Sequence, residues 1–134
     1  MIRVLVVDDY EPFCHLAKLT LEKDEDFQVV ATAATGDQAV KLAEDLRPDL
    51  VLMDMRLPGM SGLEATEQIL KQRPDTKVVL ISMDLEREYS CLAKQIGALA
   101  FIAKPDLEPK VLRQILAETV RGEKRAQEKC SGDR

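Results

Sequence analysis

Five side chains suited to cation and phosphate chemistry close apolar runs in this chain. Asp8 and Asp9 follow Val4 to Val7, Asp54 follows Leu50 to Met53, Ser82 follows KVVLI at Lys77 to Ile81, and Lys104 follows AFIA at Ala100 to Ala103. A carboxylate at the end of a buried run needs a partner, because an unpaired charge in an apolar setting is costly. If the runs are strands of one parallel sheet, their carboxyl ends form a single rim, which is where such sheets bind ligands. Three carboxylates on one rim repel at neutral pH, so a bound cation or the Lys104 ammonium must compensate them. Oxygen donors alone suit Mg2+, which takes one or two carboxylates, keeps waters and bridges to phosphate oxygens. No His or Cys clusters with them to favour zinc. Facing such a cation, Asp54 can attack a phosphoryl group and form an acyl phosphate. The cation and Lys104 can then neutralise the phosphoryl oxygens, and the Ser82 hydroxyl can donate to one of them afterwards. The plain structural alternative for Asp54 is a cap on the helix that follows.

The elements that must hold these groups alternate regularly. Arg3 to Val7 is a β-branched run of the buried-strand type, and Glu11-Pro12 opens a helix on which Phe13, Ala17 and Leu21 recur at helical spacing. Phe27 to Ala33 holds a second strand, QVVATA, polar enough to lie near a sheet edge. Thr35-Gly36-Asp37 starts a helix carrying Ala39, Val40, Ala43 and Leu46, which Arg47-Pro48-Asp49 ends. The strand ending in Asp54 breaks at Pro58-Gly59 and Ser61-Gly62, and the next helix carries Leu63, Ile69 and Leu70 as far as Arg73-Pro74-Asp75. Lys77 to Ile81 predicts a fourth strand, Glu86 to Ile96 a fourth helix capped by Gly97, Ala100 to Ala103 a fifth strand and Glu108 onward a fifth helix with Val111, Leu112, Ile115 and Leu116. Five strands alternating with five helices predict a doubly wound, flavodoxin-like α/β domain with helices on both faces. The domain is expected over residues 1–120. From about Arg121 the apolar spacing is lost, and GEKRAQEKCSGDR reads as a charged helical extension, linker or tail.

Composition narrows the class further. At 134 residues the chain fits one domain. Its longest apolar runs fall far short of a membrane span, and Ile2 to Val7 runs straight into Asp8-Asp9 instead of a signal-peptide cleavage site, so a cytoplasmic protein without membrane contact is expected. A net charge of -5 argues against direct nucleic-acid binding by this segment. Cys14, Cys91 and Cys130 are odd in number and widely spaced, which disfavours disulfide or zinc frameworks and leaves Cys14 and Cys91 as small helix residues. His15, the one histidine, reads as an ordinary residue of the first helix.

With VLVVDD at Val4 to Asp9, LVLMDMRLPGMSG at Leu50 to Gly62, VVLIS at Val78 to Ser82 and GALAFIAKP at Gly97 to Pro105, the chain resembles a receiver domain of a two-component response regulator. The resemblance implies a domain that takes a phosphoryl group from a phosphohistidine on a sensor histidine kinase or phosphotransfer protein, needs Mg2+ and hydrolyses its own acyl phosphate. It is otherwise a switch and not an enzyme. Residue by residue, it implies Asp54 as phospho-acceptor, with Asp8, Asp9, Asp54 and the backbone carbonyl of Arg56 around the metal. Ser82 matches the switch hydroxyl, Lys104 the phosphate-binding lysine and Phe101 the aromatic that swings inward. Pro105 falls where the family has a cis X-Pro bond, which would aim Lys104 at the site, and a trans bond is expected to misplace that lysine. Phosphorylation is expected to remodel the fourth helix, fifth strand and fifth helix, with a homodimer as one outcome.

Departures from the pattern bear on rate and donor choice. Met83 stands where the family usually has a small residue, and its bulk is expected to crowd the site mouth and slow turnover. Phe101 lacks the hydroxyl of the commoner Tyr. Arg56 either reaches over the site or is an exposed loop residue. The competing enzyme class is a Mg2+-dependent phosphohydrolase that also forms an aspartyl phosphate; haloacid-dehalogenase-like phosphatases carry an acid two residues after the nucleophile, where this chain has Arg56. A flavin-phosphate module is disfavoured because Asp8-Asp9-Tyr10-Glu11 would repel the phosphate. The output is either protein contact by a stand-alone receiver or transcription through a DNA-binding part beyond Arg134; the wording MIRVLVVDDYEPF and GLEATEQI is similar to receivers with a C-terminal helix-turn-helix.

Overall fold

A computed structural model of the protein describes residues 1–83 and 87–118. The order is β1 (Ile2–Val7), α1 (Glu11–Glu22), β2 (Phe27–Ala33), α2 (Gly36–Leu46), β3 (Leu50–Asp54), α3 (Gly62–Gln72), β4 (Lys77–Ser82), α4 (Arg87–Gln95) and β5 (Ala100–Ala103). A 3-10 turn, Lys104–Asp106, and helix α5 over residues 109–118 follow. The expected boundary at residue 120 and the charged stretch 121–134 lie outside the described residues, as does the expected start of the fourth helix at Glu86.

The five strands pair in parallel in the order β2-β1-β3-β4-β5. The polar second strand therefore lies at an edge, as its composition predicts. In a strand successive side chains point to opposite faces, and the core divides accordingly. Leu5, Val7, Val51, Met53, Val78 and Leu80 pack with Ala39, Ala43, Ala65, Ile69 and Ala93 from α2, α3 and α4. Val4, Val6, Leu50, Leu52, Val79 and Ile81 pack with Cys14, Ala17 and Leu21 of α1 and Leu112 of α5. The two sets alternate along β1, β3 and β4, which is the pattern of a sheet buried on both sides.

Local chemistry sets the helix ends that matter for the site. Ser61 caps α3 by accepting from the Glu64 N–H at 3.2 Å, and Thr35 caps α2 by accepting from Gln38 N–H at 3.1 Å. At the other end of α2, Arg47 takes the left-handed conformation with φ 50°, and the Arg3 guanidinium donates to the carbonyls of Leu46 and Arg47 at 2.8 and 3.0 Å. These bonds satisfy carbonyls that the helix end leaves without a partner. They also tie the start of β1 to the loop that feeds β3.

Candidate functional site

The sheet register brings the acids together. β1 runs beside β3 with Val7 opposite Met53, so the next position along each strand sets Asp8 beside Asp54. β3 runs beside β4 with Asp54 opposite Ile81, and Ser82 is opposite Ala103 of β5. Lys104 is the first residue beyond that pair. The rim expected from the apolar runs is thus assembled by four strand ends.

Asp8 is 1% exposed and Asp54 5% exposed, whereas Asp9 is exposed. One carboxylate oxygen from each of the three acids lies within 4.8 Å of the others. Each buried acid is oriented by the backbone N–H two residues on: Asp8 Oδ1 accepts from Tyr10 at 2.9 Å, and Asp54 Oδ1 accepts from Arg56 at 3.1 Å. This self-bonding is typical of Asp at a turn. The remaining oxygens face Lys104, whose Nζ lies 2.5 Å from Asp8 Oδ2 and 3.3 Å from Asp54 Oδ2. Apart from this ion pair, Asp8 Oδ2 accepts no hydrogen bond among the described residues. A buried anionic oxygen left in that state, among three carboxylates, fits a site for a hard divalent cation.

The electrostatics follow from burial and crowding. Burial, assisted by the Asp8 charge, pushes the Asp54 carboxyl up to about 6, against the opposing pull of the Arg56 N–H and Lys104. For Lys104 burial acts to lower the value, but the hydrogen-bonding contact with Asp8 and the charges of Asp54 and Asp8 outweigh it, so the ammonium is held above its ordinary range. Lys104 is therefore a fixed cation between two acids, as the carboxylate repulsion demanded.

The expected cis bond before Pro105 is not found: no peptide bond among the described residues is cis, and the Lys104–Pro105 bond is trans. The physical reason lies in the 3-10 turn Lys104–Asp106, which Leu107 N–H closes onto the Lys104 carbonyl at 3.2 Å. Proline's fixed φ and missing N–H suit the first turn of a helix, and trans is the ordinary state of an X-Pro bond. The expectation that a trans bond misplaces the lysine is overturned with it, because Nζ reaches both acids.

Ser82 is buried at the end of β4, and Phe101 is half-buried against the core on the α2–α3–α4 side. Met83, directly after Ser82, is 67% exposed, and Arg56 is exposed. Two features escaped the sequence reading. The Phe13 ring lies 4.8 Å, centroid to Nζ, from Lys104. Cys14, read as a small hydrophobe, is buried and donates from Sγ to the Asp8 carbonyl at 3.3 Å. The only available signal was position: both belong to the first turns of the helix that follows Asp8-Asp9. Burial first, then the Asp8 charge, pushes the Cys14 thiol up. Its alkylation by iodoacetamide at neutral pH is accordingly expected to be at least about tenfold slower in the folded protein than in urea, read by peptide mapping.

A sequence model of the family described as response regulator receiver domain matches residues 4–117. The response regulator GacA of Pseudomonas aeruginosa is 41% identical over 120 residues, which cover 87% of this chain and 56% of GacA. The transcriptional regulatory protein LiaR of Bacillus subtilis is 33% identical over 132 residues, covering 98% of this chain and 62% of LiaR. The chain thus spans somewhat more than half the length of these curated relatives. Among solved structures, the signal receiver domain of a NarL response regulator from Mycobacterium tuberculosis is similar with a TM-score of 0.79 at 30% identity, over 90% of this chain and 97% of that one. A LuxR-family two-component response regulator from Aurantimonas is similar with a TM-score of 0.81 at 28% identity, over 91% and 86%.

Proposed function

Because the chain belongs to the family of response regulator receiver domains of two-component systems, we propose that Asp54 is its phospho-acceptor. The observation that carries this reading is the burial of Asp54 beside Asp8 with Lys104 Nζ 3.3 Å from its Oδ2. An Asp54 carboxylate oxygen attacks phosphorus, the bond from phosphorus to the donor's nitrogen or oxygen breaks, and the leaving group departs with the electron pair. Asp8, Asp9, Asp54 and the Arg56 carbonyl would hold Mg2+, which would supply positive charge to offset that of the phosphoryl oxygens. Lys104 binds a phosphoryl oxygen from the protein side, and the raised basicity of Asp54 favours its attack once it is ionised.

The donor is a phosphohistidine on a sensor kinase or phosphotransfer protein. Ser82 and Phe101 form the switch: the hydroxyl turns toward the phosphoryl group and the ring takes up the space this leaves, so that the surface of α4, β5 and α5 changes. To act as a switch, the phosphoryl group must favour one arrangement by a few kcal/mol, about 5.5 kcal/mol for a full reversal from 1:99 to 99:1. The relatives named as transcriptional regulators support an output through a further part of a longer protein; homodimer formation is our proposed coupling step. An exposed Arg56, two residues after Asp54, offers no acid for the phosphohydrolase reading.

Incubation with Mg2+ and acetyl phosphate or phosphoramidate, followed by intact mass measurement, is expected to add one phosphoryl group to the wild type and none to Asp54→Asn. No increase with any small donor or any phosphorylated kinase partner would sink the reading. Met83, which directly follows Ser82 and is 67% exposed, is proposed to limit access to the site. Met83→Ala is expected to raise phosphorylation and decay rates by about two- to tenfold, a barrier change of roughly 0.4–1.4 kcal/mol; equal rates in a stopped-flow or phosphate-release assay would remove Met83 from the mechanism.

A further inference from the structure

Among the described residues Lys104 meets partners of two kinds, carboxylates and an aromatic ring. The carboxylates are those of Asp8 and Asp54, and the ring is that of Phe13, 4.8 Å from Nζ. The carboxylate partners change during the proposed reaction. A divalent cation held at the acid cluster would compete for Asp8, and transfer to Asp54 would convert one of its oxygens into the bridging oxygen of an acyl phosphate. The ring is the partner whose attraction for an ammonium is the same before and after, because a π-face carries a permanent quadrupole and no titratable charge.

The sequence and fold also make Phe13 a firm support. It stands one helical turn before Ala17 and two before Leu21, both fully or almost fully buried against the sheet. Phe13 itself is half-buried and packs against the same core. Its backbone N–H donates to the Tyr10 carbonyl at 3.0 Å, and Cys14 beside it holds the Asp8 carbonyl. The first turns of α1 thus hold the strand end that carries Asp8 and present an aromatic face to the lysine that follows β5.

We infer that Phe13 is a positioning residue for Lys104, its ring holding the ammonium at the rim when the carboxylates are taken up by a cation and a phosphoryl group. The inference rests on the reading of Lys104 as the phosphate-binding lysine, and it adds a residue of α1 to that function. A lysine stem left without the ring would have more positions to lose on binding, and the phosphoryl group would be held less tightly. The contact is also chemically specific: an aliphatic side chain of similar size fills the space but lacks the quadrupole.

The test uses beryllofluoride with Mg2+, a tetrahedral phosphoryl mimic, titrated calorimetrically into the full chain. At position 13, phenylalanine is replaced by fluorinated phenylalanines of rising fluorine content, which keep the ring's shape while draining its negative face. Beryllofluoride affinity is expected to fall stepwise, by about two- to fivefold at full fluorination, with the melting temperature unchanged. Affinity for Mg2+ alone is expected to stay the same. Phe13→Leu should lose as much as the fully fluorinated ring, Phe13→Tyr should retain wild-type affinity, and in a Lys104→Met background fluorination should have no further effect. If Phe13→Leu fails to fold, the isosteric series still carries the test. Affinity that ignores fluorination, or a loss that persists without Lys104, overturns the inference while leaving phosphoryl acceptance at Asp54 standing. A wild type that binds no beryllofluoride and accepts no phosphoryl group overturns both.

Discussion

In the presence of a chelator at pH 7, Asp54→Asn is expected to unfold at higher denaturant concentration than the wild type. The carboxyl of Asp54 is buried beside Asp8, and its value is pushed up to about 6 from an ordinary 3.8. Between those values the folded protein binds more protons than the unfolded chain, so this group's contribution is favourable below about pH 4 and is lost as pH rises through about 6. At neutral pH the ionised carboxylate is a burden that asparagine does not carry. Asparagine keeps an oxygen to accept the Arg56 N–H, and Lys104 keeps Asp8, so the substitution orphans no charge. The gain should be about 1–2 kcal/mol once solvent screening at the rim is allowed for. Urea titrations of the two proteins in chelator should converge near pH 4 and separate by pH 7. Added Mg2+ should stabilise the wild type more than the variant, by the mass-action amount set by its affinity. A variant less stable than the wild type at pH 7 in chelator would contradict the account of crowded acids.

Gly62→Ala should be the most damaging single-methyl change near the site. A Cβ at Gly62 would lie 2.0 Å from the Asp54 carbonyl oxygen, 2.9 Å from its carbonyl carbon and 3.0 Å from Met55 Cα. These are backbone atoms, so no side chain can rotate out of the way. Gly62 N–H also donates to the Met55 carbonyl at 3.2 Å, and a shift that relieves the clash breaks this bond. The expected loss is about 3–5 kcal/mol, together with loss of phosphoryl acceptance because Asp54, Met55 and Arg56 move as one segment. Gly59→Ala is the control. Gly59 has φ 75° but nothing within 4 Å of its added Cβ, so only left-handed strain applies, at about 1 kcal/mol. Equal losses for the two variants in urea unfolding would show that the close approach to Asp54 is relieved at little cost, since Gly62 has no left-handed φ of its own.

Much of the architecture was legible because buried parallel strands announce themselves as short β-branched runs, and because the helices between them keep a clear apolar stripe. QVVATA broke that run with Gln28 and Thr32, both exposed in the fold, and so marked an edge strand. The three acids and Lys104 were legible for a different reason: a charge that ends an apolar run has little purpose except at the rim. What could not be read was the detail of approach. The lysine was expected to compensate the acids, yet nothing in the spacing indicated that Asp8 would be its nearer partner. The bond before Pro105 was expected to be cis by resemblance, whereas the 3-10 turn that accommodates a trans bond depends on how Lys104 and Leu107 meet in three dimensions. Phe13 looked like one more core residue on a helical stripe, because periodicity reports which face is buried and not what touches the edge of a ring.

The alternation of the strands has a further consequence. Asp54 continues the face of Leu50 and Leu52, toward α1 and α5, where Lys104 meets it under the Phe13 ring, while Phe101 packs on the opposite face with α2, α3 and α4. If Asp54 accepts the phosphoryl group and Phe101 answers it, as proposed, the sheet is a partition with the chemistry on one side and part of the mechanical response on the other. Substitutions that retune the response can accumulate on the far side without rebuilding the chemistry. Under the proposed roles, such a layout would let the response change while the reaction is kept.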